Sequence, residues 1–483
     1  MNHSALERLD SFPYRHRVAD VMTSPVLMLR PEESLAEAAA LMVERGVSSI
    51  IVAETPEVLS APLGIVTERD VLRQLSQDGP AALERPLSEA MSSPVAAVSD
   101  DAFVYVALGR MDRLGIRHLA VVDGEGRAVG ILSARQLLRQ RAGAALALGD
   151  RVAVAKSAAD LAEVTRSLPR LAEALLAEDV APTAIAAVIS GVMQDMTGRA
   201  AHLAEQGMRD AGWPDAPASW CVIVMGSAGR GESLLAPDQD NGIIHAGKMA
   251  DDPWYAEAGR RIADILNEAG IPYCKGGVMA SNADWRHDET GWRRVVDGWI
   301  NRPLGENLLN VDIFFDFQPV YGDLDLAALL RAYALGRAGK SPGFLRNLSL
   351  NLREMRAPIG FFGDIQTVDG RADLKIGGLL PLIGSARLLS LRGQIDAVST
   401  PERLHQAAAA GLIADADAHD FAGAQRILVR AILNQQIADI AEGKAPGSKV
   451  DLTRLTRPHK RLLRDVLRRV GELPDMLQDA LGR

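Results

Sequence analysis

Two aspartates one residue apart, Asp238 and Asp240, follow a Gly226-Ser227 pair in the stretch CVIVMGSAGRGESLLAPDQDNGIIH. Side chains alternate along an extended chain, so both carboxylates project from the same side. Two carboxylates held this way suit a hard cation such as Mg²⁺, or Mn²⁺ in its place, which takes a few protein oxygens and fills the rest with substrate phosphates. Glycine permits the tight turn at Gly226. The Ser227 hydroxyl and free backbone N–H groups of AGRGESLL, read as a short helix or turn, can hold phosphate oxygens. The chemistry implied is the handling of an NTP beside a metal pair.

A third carboxylate is the expected companion, and LLNVDIFFDFQPVYGD supplies two. Read as a strand, it puts Asp312, Phe314 and Asp316 on one side and Ile313, Phe315 and Phe317 on the other. Acids on an otherwise apolar strand are costly unless paired or metal-bound. Asn282, in GGVMASNADW, is either a polar contact for nucleotide or acceptor, or a turn-forming residue. Cys274 reads as an ordinary small side chain, and Lys275 as a solvated lysine.

Several elements must position these groups. SWCVIVM is short, apolar and β-rich, and reads as a buried strand. Pro237 stops the short element after the turn, and QDNGIIH reads as the next strand. DPWYAEAGRRIADILNEAG has helical periodicity and ends at Gly270. Residues 142–215 are Ala- and Leu-rich with helical spacing and carry no catalytic grouping. From 326 to 483 the chain reads as helical. Arg387 and Arg392 there read as charges on solvated or inter-helix faces. His419-Asp420 lacks the further ligands of a metal phosphohydrolase.

The N-terminal part is a repeat. VADVMTSPVLMLRPEESLAEAAALMVERGVSSIIVAE…PLGIVTERDVLRQL is echoed by LSEAMSSPVAAVSDDAFVYVALGRMDRLGIRHLAVVD…AVGILSARQLLRQR. Met22, Pro25 and Gly46 match Met91, Pro94 and Gly115 at a constant offset, and Gly64 matches Gly130 after a loop that is shorter in the second copy. Each copy reads as a short strand, an amphipathic helix, two strands and a second helix. A long period present only twice points to a paired module rather than a solenoid.

The whole chain bounds the answer. With 483 residues, 48% hydrophobic and 24% charged, it is a multidomain globular protein. A net charge of −9 argues against general nucleic-acid binding. Two cysteines do not make a disulfide scaffold and fit a reducing compartment. The N-terminus has no signal-peptide core, and the nearest membrane candidate, IGGLLPLIGSARLLSL, is broken by Pro381 and Arg387. The expectation is a cytoplasmic protein that binds neither membrane nor nucleic acid.

The repeat resembles a tandem CBS (cystathionine beta-synthase) module over residues 18–141, as copies 18–77 and 87–141, with GIVTERD as the closing motif. The resemblance implies a cleft for an adenosyl nucleotide, with Thr67 at phosphate, Asp70 at the ribose hydroxyls, and Ser133 as the second copy's counterpart to Thr67. Because Gln136 stands where the second Asp belongs, one competent site is expected. From the residues alone, Asp70 can equally cap the helix VLRQL. GSAGRGE, DQDNGII, GGVMASN and FFDFQPVYGD resemble the DNA polymerase beta superfamily of nucleotidyltransferases. Within it they are most similar to the branch fused to CBS pairs and related to the PII-protein uridylyltransferases.

That resemblance implies a fold class of a tandem CBS (α+β) module, an α/β nucleotidyltransferase domain and a C-terminal helical domain. The corresponding segments are a tail 1–17, the pair 18–141, a helical lead-in 142–215, a catalytic core 216–325 and a helical substrate-binding domain 326–483. It further implies that Gly226 and Ser227 bind triphosphate and that Asp238, Asp240 and Asp316 hold metal, with Asp312 second choice to Asp316. Arg230 and Glu232 belong to the same motif, Arg230 pairing with phosphate or bracing the turn through Glu232. An NTP, a protein or small-molecule hydroxyl acceptor and a homodimer through the CBS pair complete the expectation. The chain departs from full PII uridylyltransferases, since no second small-ligand regulatory repeat follows the helices.

Overall fold

The computed structural model describes residues 16–56, 60–134, 137, 148–303, 306–355, 357–360 and 364–482. Most of the N-terminal tail, Gln136 and the end of the second repeat lie outside the described residues. The chain divides into two compact units, Met1–Leu146 and Ala147–Arg483.

In the first unit each repeat builds a three-stranded sheet. The first has β1 (Met28–Leu29) parallel to β2 (Ser49–Val52), which pairs antiparallel with β3 (Gly64–Thr67). The second repeats this with β4 (Ala97–Ser99), β5 (His118–Val122) and β6 (Ala128–Ser133). Helix α1 (Leu35–Arg45) starts on a reciprocal cap between Ser34 and Glu37 and buries Leu35, Ala38 and Met42. Its counterpart α2 (Val104–Leu114) buries Val104, Ala107 and Met111. Both helices end on a left-handed glycine, Gly46 at φ 63° and Gly115 at φ 64°, which explains why that glycine recurs.

The recurring methionines and glycines interlock across the repeats. A Cβ on Gly64 would lie 2.3 Å from Met91 Sδ, and one on Gly130 would lie 2.5 Å from Met22 Sδ. Each methionine fills the notch left by the other copy's glycine. Backbone bonds reinforce the exchange. Thr23 N donates to Ile131 O at 2.9 Å, and Ser92 N donates to Ile65 O at 2.9 Å.

The second unit is built on a four-stranded sheet in the order β10-β7-β8-β9. Its strands are β7 (Trp220–Val224), β8 (Asn241–His245), β9 (Arg286–Asp288) and β10 (Gln318–Gly322). Every residue of β7 and β8 is buried. Period-two alternation serves two cores. Trp220, Val222 and Ile243 face helices Ala158–Ala177, Pro182–Asp210 and Asp252–Glu268. Cys221, Ile223 and Ile244 face an aromatic layer of Trp285, Trp292, Trp299 and Phe314, backed by the C-terminal helices. The Ala-rich lead-in thus forms one wall of the sheet's core.

The segment read as a strand around Asp312 is a helix, Glu306–Phe314, and Asp316 stands in the turn before β10. The alternation misled because Val311, Phe314 and Phe315 also fit a helical face. All three are buried in the same core. In the C-terminal part, helix Leu380–Gly393 is buried at every position from Pro381 to Leu391, Arg387 included, while Arg392 is exposed. It is a central core helix around which the others pack.

Candidate nucleotidyl-transfer site and regulatory cleft

The turn after β7 leads into a one-turn helix, Gly226–Arg230, with Gly226 at φ +56°. That glycine has a second reason to be there, since an added Cβ would sit 2.5 Å from Asp240 Oδ2. Asp238 and Asp240 lie in the extended lead-in to β8, just before the strand begins. Gln239 between them is buried, and its amide donates to Ala263 O and Ile271 O, both at 2.9 Å. Fixing Gln239 on the inner side displays both aspartates on the other. Their carboxylates and the Cys274 thiol have ligand atoms within 4.8 Å of one another.

Burial pushes the Asp240 carboxyl up to about 7, and the charge of Asp238 adds to the rise; Cys274, Lys375 and Arg230 oppose it. Burial, then the Asp240 charge, pushes the Cys274 thiol up to about 11. Both groups thus resist ionising where they stand, and a divalent cation placed between the two carboxylates would offset that cost for Asp240. The two carboxylates are oxygen donors of the kind that Mg²⁺ or Mn²⁺ takes. Lys375, exposed at the start of a π-helical turn Lys375–Leu379, is the cation from the C-terminal helices whose charge reaches Asp240. Sequence reading missed Lys375 and Cys274. Neither sits in a spacing pattern with the aspartates, and only the fold brings them close.

Asp316 needs correction. It is 0% exposed, and its oxygens accept from three buried arginines. Arg387 reaches Oδ2 at 2.6 Å, Arg403 reaches Oδ1 at 2.7 Å, and Arg230 also bonds Oδ2. Burial would raise this carboxyl, but the Arg387, Arg403 and Arg230 charges hold it far below the usual range. A carboxylate so saturated has no lone pair for a metal and does not take a proton near neutrality. Asp312 is paired to Arg387 Nη1 at 2.7 Å, and burial raises its carboxyl despite that partner.

Arg230 is hydrogen-bonded within the turn as well as to Asp316. Its Nε donates to Glu232 Oε2 at 2.8 Å, and Glu232 Oε1 accepts from Thr400 N at 2.6 Å. Ser227 Oγ lies 3.1 Å from Ser233 Oγ. Asn282 is exposed and forms a turn, accepting from Asp284 N and donating to Gly277 O, both at 3.3 Å.

In the first unit, Thr67 and Asp70 form a capping box. Asp70 Oδ2 accepts from Thr67 N at 2.9 Å and from Thr67 Oγ1 at 2.7 Å, while Oδ1 pairs with Arg73 at 2.7 Å. The same residues line a cavity of about 740 Å³ with Ser48, Glu68, Arg117 and His118. Ser133 lines a smaller one of about 290 Å³ that shares Ser48, Glu68 and His118. The larger cavity has room for a nucleotide-sized ligand.

Comparison with known proteins bears on both units. A family described as "Putative nucleotidyltransferase DUF294" matches residues 166–306, and its "Putative nucleotidyltransferase substrate binding domain" matches 342–481. The CBS domain family matches 18–77 and 87–143. The chain belongs to the DUF294 family of CBS-pair proteins. Among curated relatives, an uncharacterized 17.7 kDa protein of Acidianus ambivalens is 32% identical over 26% of this chain and 71% of its own length. A CBS domain-containing protein of Bacillus subtilis is 32% identical over 27% of this chain and 91% of its own. Among solved structures, a CBS domain protein of Pyrobaculum aerophilum complexed with AMP is 31% identical, with a TM-score of 0.24, over 26% of this chain and 94% of its own. No described helix of this DUF294 protein is long and apolar enough to cross a membrane.

Gly226→Ala tests the seat of Asp240 in this DUF294 protein. The added methyl and the left-handed backbone are expected to cost about 1–2 kcal/mol of stability and to displace the carboxylate. Mn²⁺ affinity by calorimetry should fall at least about tenfold. Unchanged affinity would mean that Asp240 does not need this glycine.

Proposed function

We propose that the chain is a metal-dependent nucleotidyltransferase that moves a nucleoside monophosphate from an NTP to a hydroxyl acceptor, under control of an adenosyl nucleotide bound by the CBS pair. The observation that carries the reading is the pair Asp238 and Asp240, fixed on one side of the chain by Gln239 and seated against Gly226. A bound Mg²⁺ would neutralise the triphosphate and stabilise the leaving pyrophosphate. Asp238 and Asp240 hold the cation. Ser227 presents a hydroxyl to phosphate oxygens. Lys375 adds positive charge beside them. The acceptor oxygen attacks the α-phosphorus, the bond to the bridging oxygen of pyrophosphate breaks, and the acceptor's proton is lost to water on the side where Asp238 is exposed. The acceptor, a protein of PII type or a small molecule, docks against the C-terminal helices.

One observation favours a second reading. Asp316, the expected third carboxylate, is fully engaged by arginines, as it would be in a nucleotide-binding protein that has given up turnover. Incubation with labelled NTPs, Mg²⁺ and cell extract separates the two. Label transferred by wild type and not by Asp238→Asn with Asp240→Asn supports the transferase. Metal-dependent binding without transfer supports the sensor, and neither result removes both.

For the CBS pair, the ribose hydroxyls take the place of Arg73 on Asp70. Asp70→Ala in the full chain should weaken AMP, ADP, ATP or S-adenosylmethionine binding by about 1.5–3 kcal/mol and remove the ligand-induced rise in Tm. Identical shifts in the variant would leave Asp70 as a helix cap alone. Exposed Val43, Leu72 and Leu114 on this unit support self-association through the pair.

A further inference from the structure

We propose that a groove along helix Asp415–Ala441 is a binding site for a small amphipathic anion, an aliphatic body that carries one carboxylate or phosphate head. The site rests on no part of the nucleotidyl-transfer or CBS reading. Three features carry it.

The first is shape. A cavity of about 560 Å³ follows one face of that helix from Gly423 through Ile427 and Ala431 to Asn434, about 16 Å of helix. Residues of the turn around Asp179 and Pro182 line one side, and the start of helix Arg457–Gly482 lines the other. Gly423 helps to keep the groove open. Glycine weakens a helix interior. Packing does not demand it here, since an added Cβ would meet Arg426 Nη2 at an ordinary contact distance of 3.8 Å. The missing side chain leaves the space over which the Arg426 guanidinium folds back.

The second is the apolar lining. Pro182, Ile427, Leu455 and Leu463 supply it together with Leu462, which is 45% exposed. An aliphatic body has surface to pack on. No Phe, Tyr or Trp among the described residues lines the groove, so a nucleobase has no such ring to stack on.

The third is charge. Arg426 and Arg430 stand at i and i+4, where like charges on a helix repel. The chain has 62 acidic residues to 53 Lys and Arg, and exposed helical arginines elsewhere find an acid one turn away. Arg260 pairs with Glu257 and Asp264, and Arg293 with Glu289. Arg426 pairs with no acid among the described residues. Arg430 meets Asp179 at 3.4 Å, with both side chains about half exposed, and Asp179 is the one acid among the described lining residues. A surface pair of that kind contributes little and yields readily. A carboxylate or phosphate head can take both guanidinium forks. Cations above an aliphatic floor are complementary to an amphipathic anion, whereas a neutral apolar body would leave the two arginines repelling each other.

The test titrates the full chain by calorimetry with decanoate, decyl phosphate and decanol. Decanoate, decyl phosphate or both should bind at one molecule per chain, with decanol at least about tenfold weaker. Arg426→Ala with Arg430→Ala should weaken the bound anion at least about tenfold. Gly423→Leu should abolish binding by filling the groove, while its Tm holds or rises because leucine favours the helix. That variant separates loss of the site from loss of the fold. Binding of one head and not the other supports the inference and identifies the head. Binding of neither, binding undiminished in either variant, or decanol as tight as decanoate overturns it. A poly-glutamate peptide that binds where both amphiphiles fail would make the groove a protein-docking strip and also overturn it.

Discussion

Asp316→Ala leaves the unit Ala147–Arg483 less stable by about 3–5 kcal/mol, read as a lower denaturant midpoint at an unchanged slope. Arg387 and Arg403 are 3% and 1% exposed, and Arg230 is 8% exposed. Removing the shared carboxylate leaves three buried guanidinium charges whose remaining carboxylate partners among the described residues are Asp312 and Glu232. Uncompensated buried charge is far more costly than an absent ion pair. Asp316→Asn should behave nearly as badly, because the amide keeps the shape and loses the charge. Asp316→Leu with Arg403→Met should recover part of the loss, since one charge of each sign is withdrawn together. Stability unchanged with cation affinity lost would return Asp316 to the metal site.

Replacing both Asp238 and Asp240 by Asn should reduce transfer by at least about a hundredfold, the effect of several kcal/mol of lost charge stabilisation. Asp240→Asn alone should also make the metal-free protein more stable at pH 8. The sign follows from the raised carboxyl. Asp240 titrates near 7 in the folded chain and near 4 unfolded. The native state therefore holds the proton more tightly. Wild type loses stability relative to the variant as pH climbs from about 4 through 7, by roughly 2 kcal/mol, since the pair is open to water on one side. Below pH 4 the two should converge. Adding Mn²⁺ should raise the wild-type Tm and leave the double variant unmoved. A destabilised Asp240→Asn at pH 8 would show that its charge is already balanced within the chain.

The parts legible in the sequence were those whose information is local. The repeat, the buried strand before Gly226 and the paired aspartates each follow from neighbours a few residues apart. The segment around Asp312 was misread because period-two and helical patterns both fit VDIFF, and nothing within the segment decides between them. Asp316 was given to metal because the resemblance implies a third carboxylate, and an acid among phenylalanines needs a partner of some kind. It has partners, but they are arginines 71 and 87 residues later and 86 earlier, and no spacing rule reaches that far. Cys274 lay in a loop whose position depends on hydrogen bonds to Gln239 and Asn241.

The methionine–glycine exchange in the first unit makes heredity there a two-site matter. Volume added at position 64 must be given up at position 91, and volume added at 130 must be given up at 22 and by a shift of the Thr23 carbonyl beside it, although each pair is split between the two copies of the repeat. A copy cannot drift by itself. It can be traded for a foreign one only when the newcomer brings both a methionine for its neighbour's notch and a notch for its neighbour's methionine. The duplicated segment thus changes as a couple, and a lineage that loses one half of the match is pressed to restore it in the other half.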